Sequence, residues 1–173
     1  MIYTIGYSNR SLPEFLHELE KRDITQLVDV RSSPWSRNAV FNAPQIEAWA
    51  SKAGIFYRQC GHVLGGRTKF QLDASEYVAA LDTITAASCR EPLAIMCAEG
   101  DPAQCHRTWD VGASLLIRDG IIAKSILRDG RVEDITSTLD RVNLSNFKPA
   151  IQCALSINNR RNEGKPYQDT FGF

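Results

Sequence analysis

Short apolar runs alternate with amphipathic helical patterns along the first 127 or so residues of this 173-residue chain, and few folds accept that alternation. Residues 2–6, 26–31, 55–60, 93–97 and 122–127 read as strands. Between the first two, Ser11 and Glu14 have capping-box spacing, ahead of a helix face made by Leu12, Phe15, Leu16 and Leu19. A second helix starts between Asn42 and Gln45, carries Ile46, Trp49, Ala50 and Ala53 on one face, and ends at Gly54. Asp73 and Glu76 repeat the capping spacing before Tyr77, Ala80, Leu81 and Ile84, and a further helix runs from about Thr108 to Asp119 and stops at Gly120. Strands that alternate with helices predict an α/β fold: a three-layer sandwich with a mostly parallel, flavodoxin-like or Rossmann-like sheet. Gly112 is expected to let the last helix lie close against that sheet.

Residues 1–142 thus make one α/β domain. From residue 143 the pattern weakens into an extension or tail, 143–173, in which Tyr167, Phe171 and Phe173 offer apolar anchors. Such a tail either wraps the domain or a neighbouring subunit, or stays mobile. The 20 basic and 20 acidic residues balance, so no whole-molecule field draws the chain to nucleic acid or an anionic membrane, although a local basic cleft remains open. No apolar run approaches the roughly 20 residues of a membrane span, and no signal peptide is visible. Five cysteines at irregular spacing do not resemble a secreted disulfide scaffold, so mostly reduced thiols and a cytoplasmic location are expected.

Reactive side chains crowd the end of the fourth strand, where Cys97-Ala-Glu99-Gly-Asp101 is followed by Cys105-His106-Arg107. Ligands of open α/β sheets bind at this kind of edge. If the sheet is parallel, the same edge collects Tyr7 and Ser8 from the first loop, and Asp29, Arg31, Trp35 and Arg37 from the second. The turn containing Gly65 and Gly66 is placed to close over them. Arg31, Arg37, Arg67 and Arg107 are candidate anion clamps, because guanidinium forks match phosphate or carboxylate oxygens. Trp35 and Phe41 suit stacking on a base, or else pack the loop. Asp29 stands between valines two residues from Arg31, on the same side of the strand, which fits a structural ion pair as well as a catalytic role. Glu99, just past the strand end, is the leading acid/base or nucleophile candidate.

For the thiols three readings stay open: Cys105 as a nucleophile activated by His106 and Arg107, Cys97 and Cys105 as a redox pair, or both with Cys60 and His62 in a zinc site. The spacings match neither the short zinc knuckles nor the Cys-x5-Arg loop of phosphatases.

Taken together, Thr4 to Ser8, Val28 to Arg31 with Pro34, Ser36 and Arg37, Phe41-Asn42, Leu64 to Gly66, Cys97 to Glu99 and Cys105 to Arg107 resemble the family described as domain of unknown function 488. The resemblance runs in order over residues 1 to about 130 and implies a compact α/β domain with a polar site built from these motifs. It supplies no reaction. Tyr7 stands where the family often has histidine, and Ser125 where another would be expected. If those histidines move protons in relatives, this chain lacks that component or uses Tyr7.

The leading expectation is an enzyme, or a degenerate relative of one, acting on a phosphate-bearing ligand such as a nucleotide or nucleic acid by hydrolysis or group transfer. Arg31, Arg37 and Arg107 would hold the anion, Glu99 would do acid/base or nucleophilic work, and His106 and Asp29 would position it. The alternatives are a thiol redox or sulfur-handling protein using Cys97 and Cys105, and a non-enzymatic nucleic-acid or protein partner module. No cofactor is expected beyond zinc in the metal reading, and no membrane partner.

Overall fold

A computed structural model describes residues 1–67 and 74–141. The anticipated Asp73 cap and the tail at 143–173 lie outside the described residues. Among the described residues five strands and five α-helices come before a last hairpin strand that reverses direction, and a sixth helix follows it. In order they are β1 (Ile2–Gly6), α1 (Leu12–Glu20), β2 (Gln26–Asp29), α2 (Ala43–Lys52), β3 (Phe56–Gln59), α3 (Gly61–Leu64), α4 (Ala74–Ser88), β4 (Leu93–Cys97), α5 (Ala113–Asp119), β5 (Lys124–Ile126), β6 (Val132–Asp134) and α6 (Ile135–Arg141).

One six-stranded sheet results, ordered β3-β2-β4-β1-β5-β6. All neighbours are parallel except β5 and β6. The three-layer α/β sandwich is therefore the architecture of the described chain. β4 has neighbours on both sides and helices on both faces, and accordingly all five of its residues are buried. On one face Ile5, Leu27, Ala94, Met96 and Ile126 meet Phe15 and Leu19 of α1 and Ile46 and Ala50 of α2. On the other, Ile2, Val28, Leu93 and Ile95 meet Leu64 of α3, Leu81 and Ile84 of α4, and Leu115 of α5.

The local signals explain where several elements begin. Ser11 caps α1 while Glu14 accepts from the Ser11 backbone N–H at 2.7 Å, the reciprocal pair the spacing predicts. Other boundaries differ. The strand expected over 55–60 is only Phe56–Gln59 and lies at the sheet edge. The helix expected from 108 begins as a π-helical turn, Arg107–Gly112, before α5. A Cβ at Gly112 would meet Cδ1 of Ile135, so the glycine admits α6. β6 was not foreseen: it follows the tight Asp129-Gly130 turn, in which the Leu127 N–H donates to the Arg131 carbonyl. Among the described residues no helix is long and apolar enough to cross a membrane.

Candidate functional site

Register sets the site. Gly6 of β1 lies opposite Cys97 of β4, and Asp29 of β2 opposite Met96, so three strands end level at one edge. The first loop then follows the last: the Tyr7 N–H donates to the Cys97 carbonyl at 3.2 Å, and the Ser8 N–H and hydroxyl both donate to the Ala98 carbonyl. Beyond Cys97 the chain folds back through a short 3-10 turn capped by Asp101, whose carboxylate accepts from the Ala103 N–H at 2.9 Å. That return brings Cys105 and His106 back to the end of β4. His106 Nδ1 lies 3.8 Å from Cys97 Sγ and 3.9 Å from Cys105 Sγ.

The other ring nitrogen fixes the tautomer. His106 Nε2 lies 2.9 Å from the Val30 carbonyl oxygen, which can only accept, so Nε2 carries hydrogen. In the neutral ring Nδ1 then keeps its lone pair and turns it toward both sulfurs. Gly66 backs the ring; a Cβ on it would lie 2.9 Å from His106 Cγ, so only glycine fits without moving the imidazole. Gly65, beside it, lies against the Gly61 carbonyl and Ser32. The glycine pair thus packs against loop and ring.

Both sulfurs are buried. Cys105 is shifted well below the ordinary thiol range by the hydrogen bond from the Cys97 thiol, helped by His106 and the charge of Arg107, and against its burial. Cys97 is shifted up, because it gives that hydrogen bond and is itself buried. The Cys97 and Cys105 sulfurs and a ring nitrogen of His106 lie within 4.8 Å of one another, a spacing that could also hold a metal ion. Cys60 and His62, anticipated as further ligands, are not in that group. Cys60 packs against the core, and His62 lines a separate cavity of about 130 Å³ with Asp29, Ser32 and Gln59.

The arginines divide sharply. Arg31 is spent inside the protein. Its Nη2 lies 2.6 Å from Asp29 Oδ2, its Nε meets both oxygens of Asp29, and its Nη1 donates to the Phe41 carbonyl at 2.8 Å and to Tyr7 Oη at 3.3 Å. Tyr57 completes this knot, donating to Asp29 Oδ2 at 2.7 Å. Arg107 also turns inward, donating to the carbonyls of Glu99 and Gly100 and to Thr4 Oγ1. Arg37 and Arg67 remain exposed. Phe41 is not available for base stacking: it is fully buried, 4.4 Å from the Tyr7 ring and 5.3 Å from Phe15. Tyr7 is buried with it, whereas Trp35 is 65 % exposed. Glu99 is exposed and accepts from the Asp101 N–H at 3.1 Å, outside the thiol cluster.

Two participants escaped the sequence reading. The Val30 carbonyl is a backbone group with no side-chain signature, and it meets His106 across 76 positions. Arg10 is buried and donates to the Gly6 and Leu127 carbonyls, tying β1 to β5. Its signal was only a basic residue near a strand end. Ser125, where a histidine was anticipated, lies 3.2 Å from Thr4 Oγ1 in the buried sheet.

Comparison with curated proteins gives no match. A match to a family does cover Asp29, Arg31 and the glycine pair, ending ahead of the thiol cluster: over residues 11–76 the chain fits the family described as Domain of unknown function DUF488, the one its motifs resemble.

Proposed function

We propose that the protein is a thiol oxidoreductase in which Cys105 is the nucleophile, Cys97 the second thiol and His106 the base that accepts the Cys97 proton. The observation that carries this reading is the bond from His106 Nε2 to the Val30 carbonyl, because it leaves Nδ1 as an acceptor between the two sulfurs. A nucleophile beside a base that is itself oriented by a third group is the arrangement shared by activated thiols and hydroxyls. In the proposed cycle the Cys105 thiolate attacks one sulfur of a small disulfide. The substrate S–S bond breaks, and the leaving thiolate takes a proton from water. Cys97 then loses its proton to Nδ1 and attacks Cys105 Sγ, releasing the second substrate thiol. The substrate gains two electrons and two protons while Cys97 and Cys105 become a disulfide, which a dithiol reductant restores. Burial of both sulfurs favours small, unhindered disulfides.

The phosphate-ligand reading has less support, because Arg31 and Arg107 give their hydrogen bonds to protein oxygens. It would rest on the exposed Arg37 and Glu99.

The test is reaction of the reduced protein with 2,2′-dithiodipyridine at neutral pH, followed by peptide mass mapping. Wild type should release two thiones rapidly and end with Cys97 joined to Cys105. Cys97→Ser should keep a pyridyl adduct on Cys105, and His106→Gln should slow the fast phase by about 100-fold. Reaction at Cys105 no faster than at the exposed Cys89 would overturn the proposal, as would protein that holds one equivalent of zinc and unreactive thiols.

A further inference from the structure

The helices that follow β2 and β3 leave the sheet on opposite faces. α2 packs Ile46 and Ala50 on one face and α3 packs Leu64 on the other, although the two strands are parallel neighbours. Their loops therefore part outside the strand ends, which is where open α/β sheets hold ligands. The crevice between them is the cavity of about 130 Å³ beside Asp29. Arg31 and Ser32 reach it from the loop after β2, and Gln59 and His62 from the end of β3 and the turn into α3. Liquid water takes about 30 Å³ per molecule, so the space suits one group of a few heavy atoms rather than a whole nucleotide.

The unused valences of this crevice are mostly donors. Asp29 is the one carboxylate lining it, and its oxygens already accept from Arg31 and Tyr57. The Ser32 hydroxyl accepts the Arg67 N–H at 2.9 Å, which leaves its own hydrogen to give. The side chains of Gln59 and His62 are exposed and make no hydrogen bond among the described residues. Arg31 keeps one loosely used donor: Nη2 meets Asp29 at 2.6 Å, but its other hydrogen reaches the Pro34 carbonyl only at 3.4 Å. Donors that converge on one small space, beside an aspartate already neutralised by Arg31, fit a carboxylate, whose two oxygens accept several such bonds. We propose that the crevice seats the carboxylate of a small disulfide substrate, with Ser32, Gln59 and His62 donating to it. The proposal rests on the thiol reading and names its substrate class. Only the end of β2 separates the two places: the Asp29 carbonyl accepts from Cys60 on the β3 side, and the Val30 carbonyl from His106 on the β4 side. Neighbouring strands lie about 4.8 Å apart, so a carboxylate a few bonds from the S–S bond spans that distance.

The experiment compares dithiodipropionate with the neutral hydroxyethyl disulfide as oxidants of the reduced protein, each rate divided by that with free dithiothreitol. Wild type should prefer the carboxylate-bearing disulfide by about tenfold or more. Gln59→Glu, which puts a like charge at an exposed position, should bring the ratio down to about one, and His62→Ala should lower it in part. Propionate is also titrated into each protein while the Gln59 side-chain amide and the His62 ring are followed by NMR. Both signals should shift and saturate in wild type, and the His62 shift should disappear in Gln59→Glu. A wild-type ratio near one, or a high ratio unchanged in Gln59→Glu, would overturn the proposal while sparing the thiol reading. Thiols inert to both disulfides would remove the thiol reading; saturable shifts with propionate would then still support the carboxylate site. Propionate that shifts neither signal would overturn the proposal in either case.

Discussion

Asp29 illustrates how much one residue's role depends on what lies behind it. Between valines in a strand it must be paired, and Arg31 two positions later is the obvious partner, so the ion pair was legible in the sequence. The rest of the knot was not, because Tyr57, Tyr7 and the Phe41 carbonyl come from other segments. Burial works against the Arg31 charge, yet the Asp29 carboxylate more than offsets it and holds the guanidinium protonated. Tyr57 is held up likewise by burial and then by Asp29. Removing the carboxylate charge would leave a buried guanidinium unpaired. Asp29→Asn should therefore cost about 3–5 kcal/mol of unfolding free energy in denaturant titrations. A loss below about 1 kcal/mol would show that the pair is dispensable. The reactive residues follow the same logic: Cys105, His106 and Arg107 are adjacent in sequence and read at once as a cluster, but that Arg107 turns inward depends on Thr4, 103 positions away.

At the scale of the element, helix α1 shows a signal that is fully local. Ser11 and Glu14 form the capping box across three positions, and the chain needs no tertiary partner to make it. The Ser11 backbone and hydroxyl, with Arg128 in support, hold the Glu14 carboxyl at about 2 against 4.5 for the free group. A depressed carboxyl stabilises the fold above its unfolded value, and the contribution disappears as pH falls through the folded value. Wild type should therefore lose melting temperature between about pH 5 and pH 2 by more than Glu14→Gln does, with the two differing most at neutral pH. Equal acid sensitivity in both proteins would show that the box does not contribute. The π-helical turn at Arg107–Gly112 is the opposite case. The wider turn accompanies the inward guanidinium and the packing of Ile135 on Gly112, neither of which a periodic pattern records.

For the whole molecule, strand order is the decisive property. β4 is inserted between β2 and β1, so the last parallel strand but one in sequence becomes the centre of the sheet. Hydrogen exchange should be slowest at the amides of β4 and its neighbours and faster in the edge strand β3, whose Phe56 is 59 % exposed. Protection of β3 equal to that of β4 would mean that its edge is covered. Legible in the linear chain is whatever acts over a few residues: alternating strands and helices, the α1 cap, the two apolar faces, and the edge at which reactive side chains gather. Periodicity, capping and side-chain chemistry are short-range, and they survive in a linear string. Long-range packing settled which arginines turned into the interior, which aromatic rings became core, and that the carbonyl of Val30 would orient His106 between two thiols. Those outcomes depend on which strands become neighbours, and pairing energies between distant segments leave no local trace in the order of the residues.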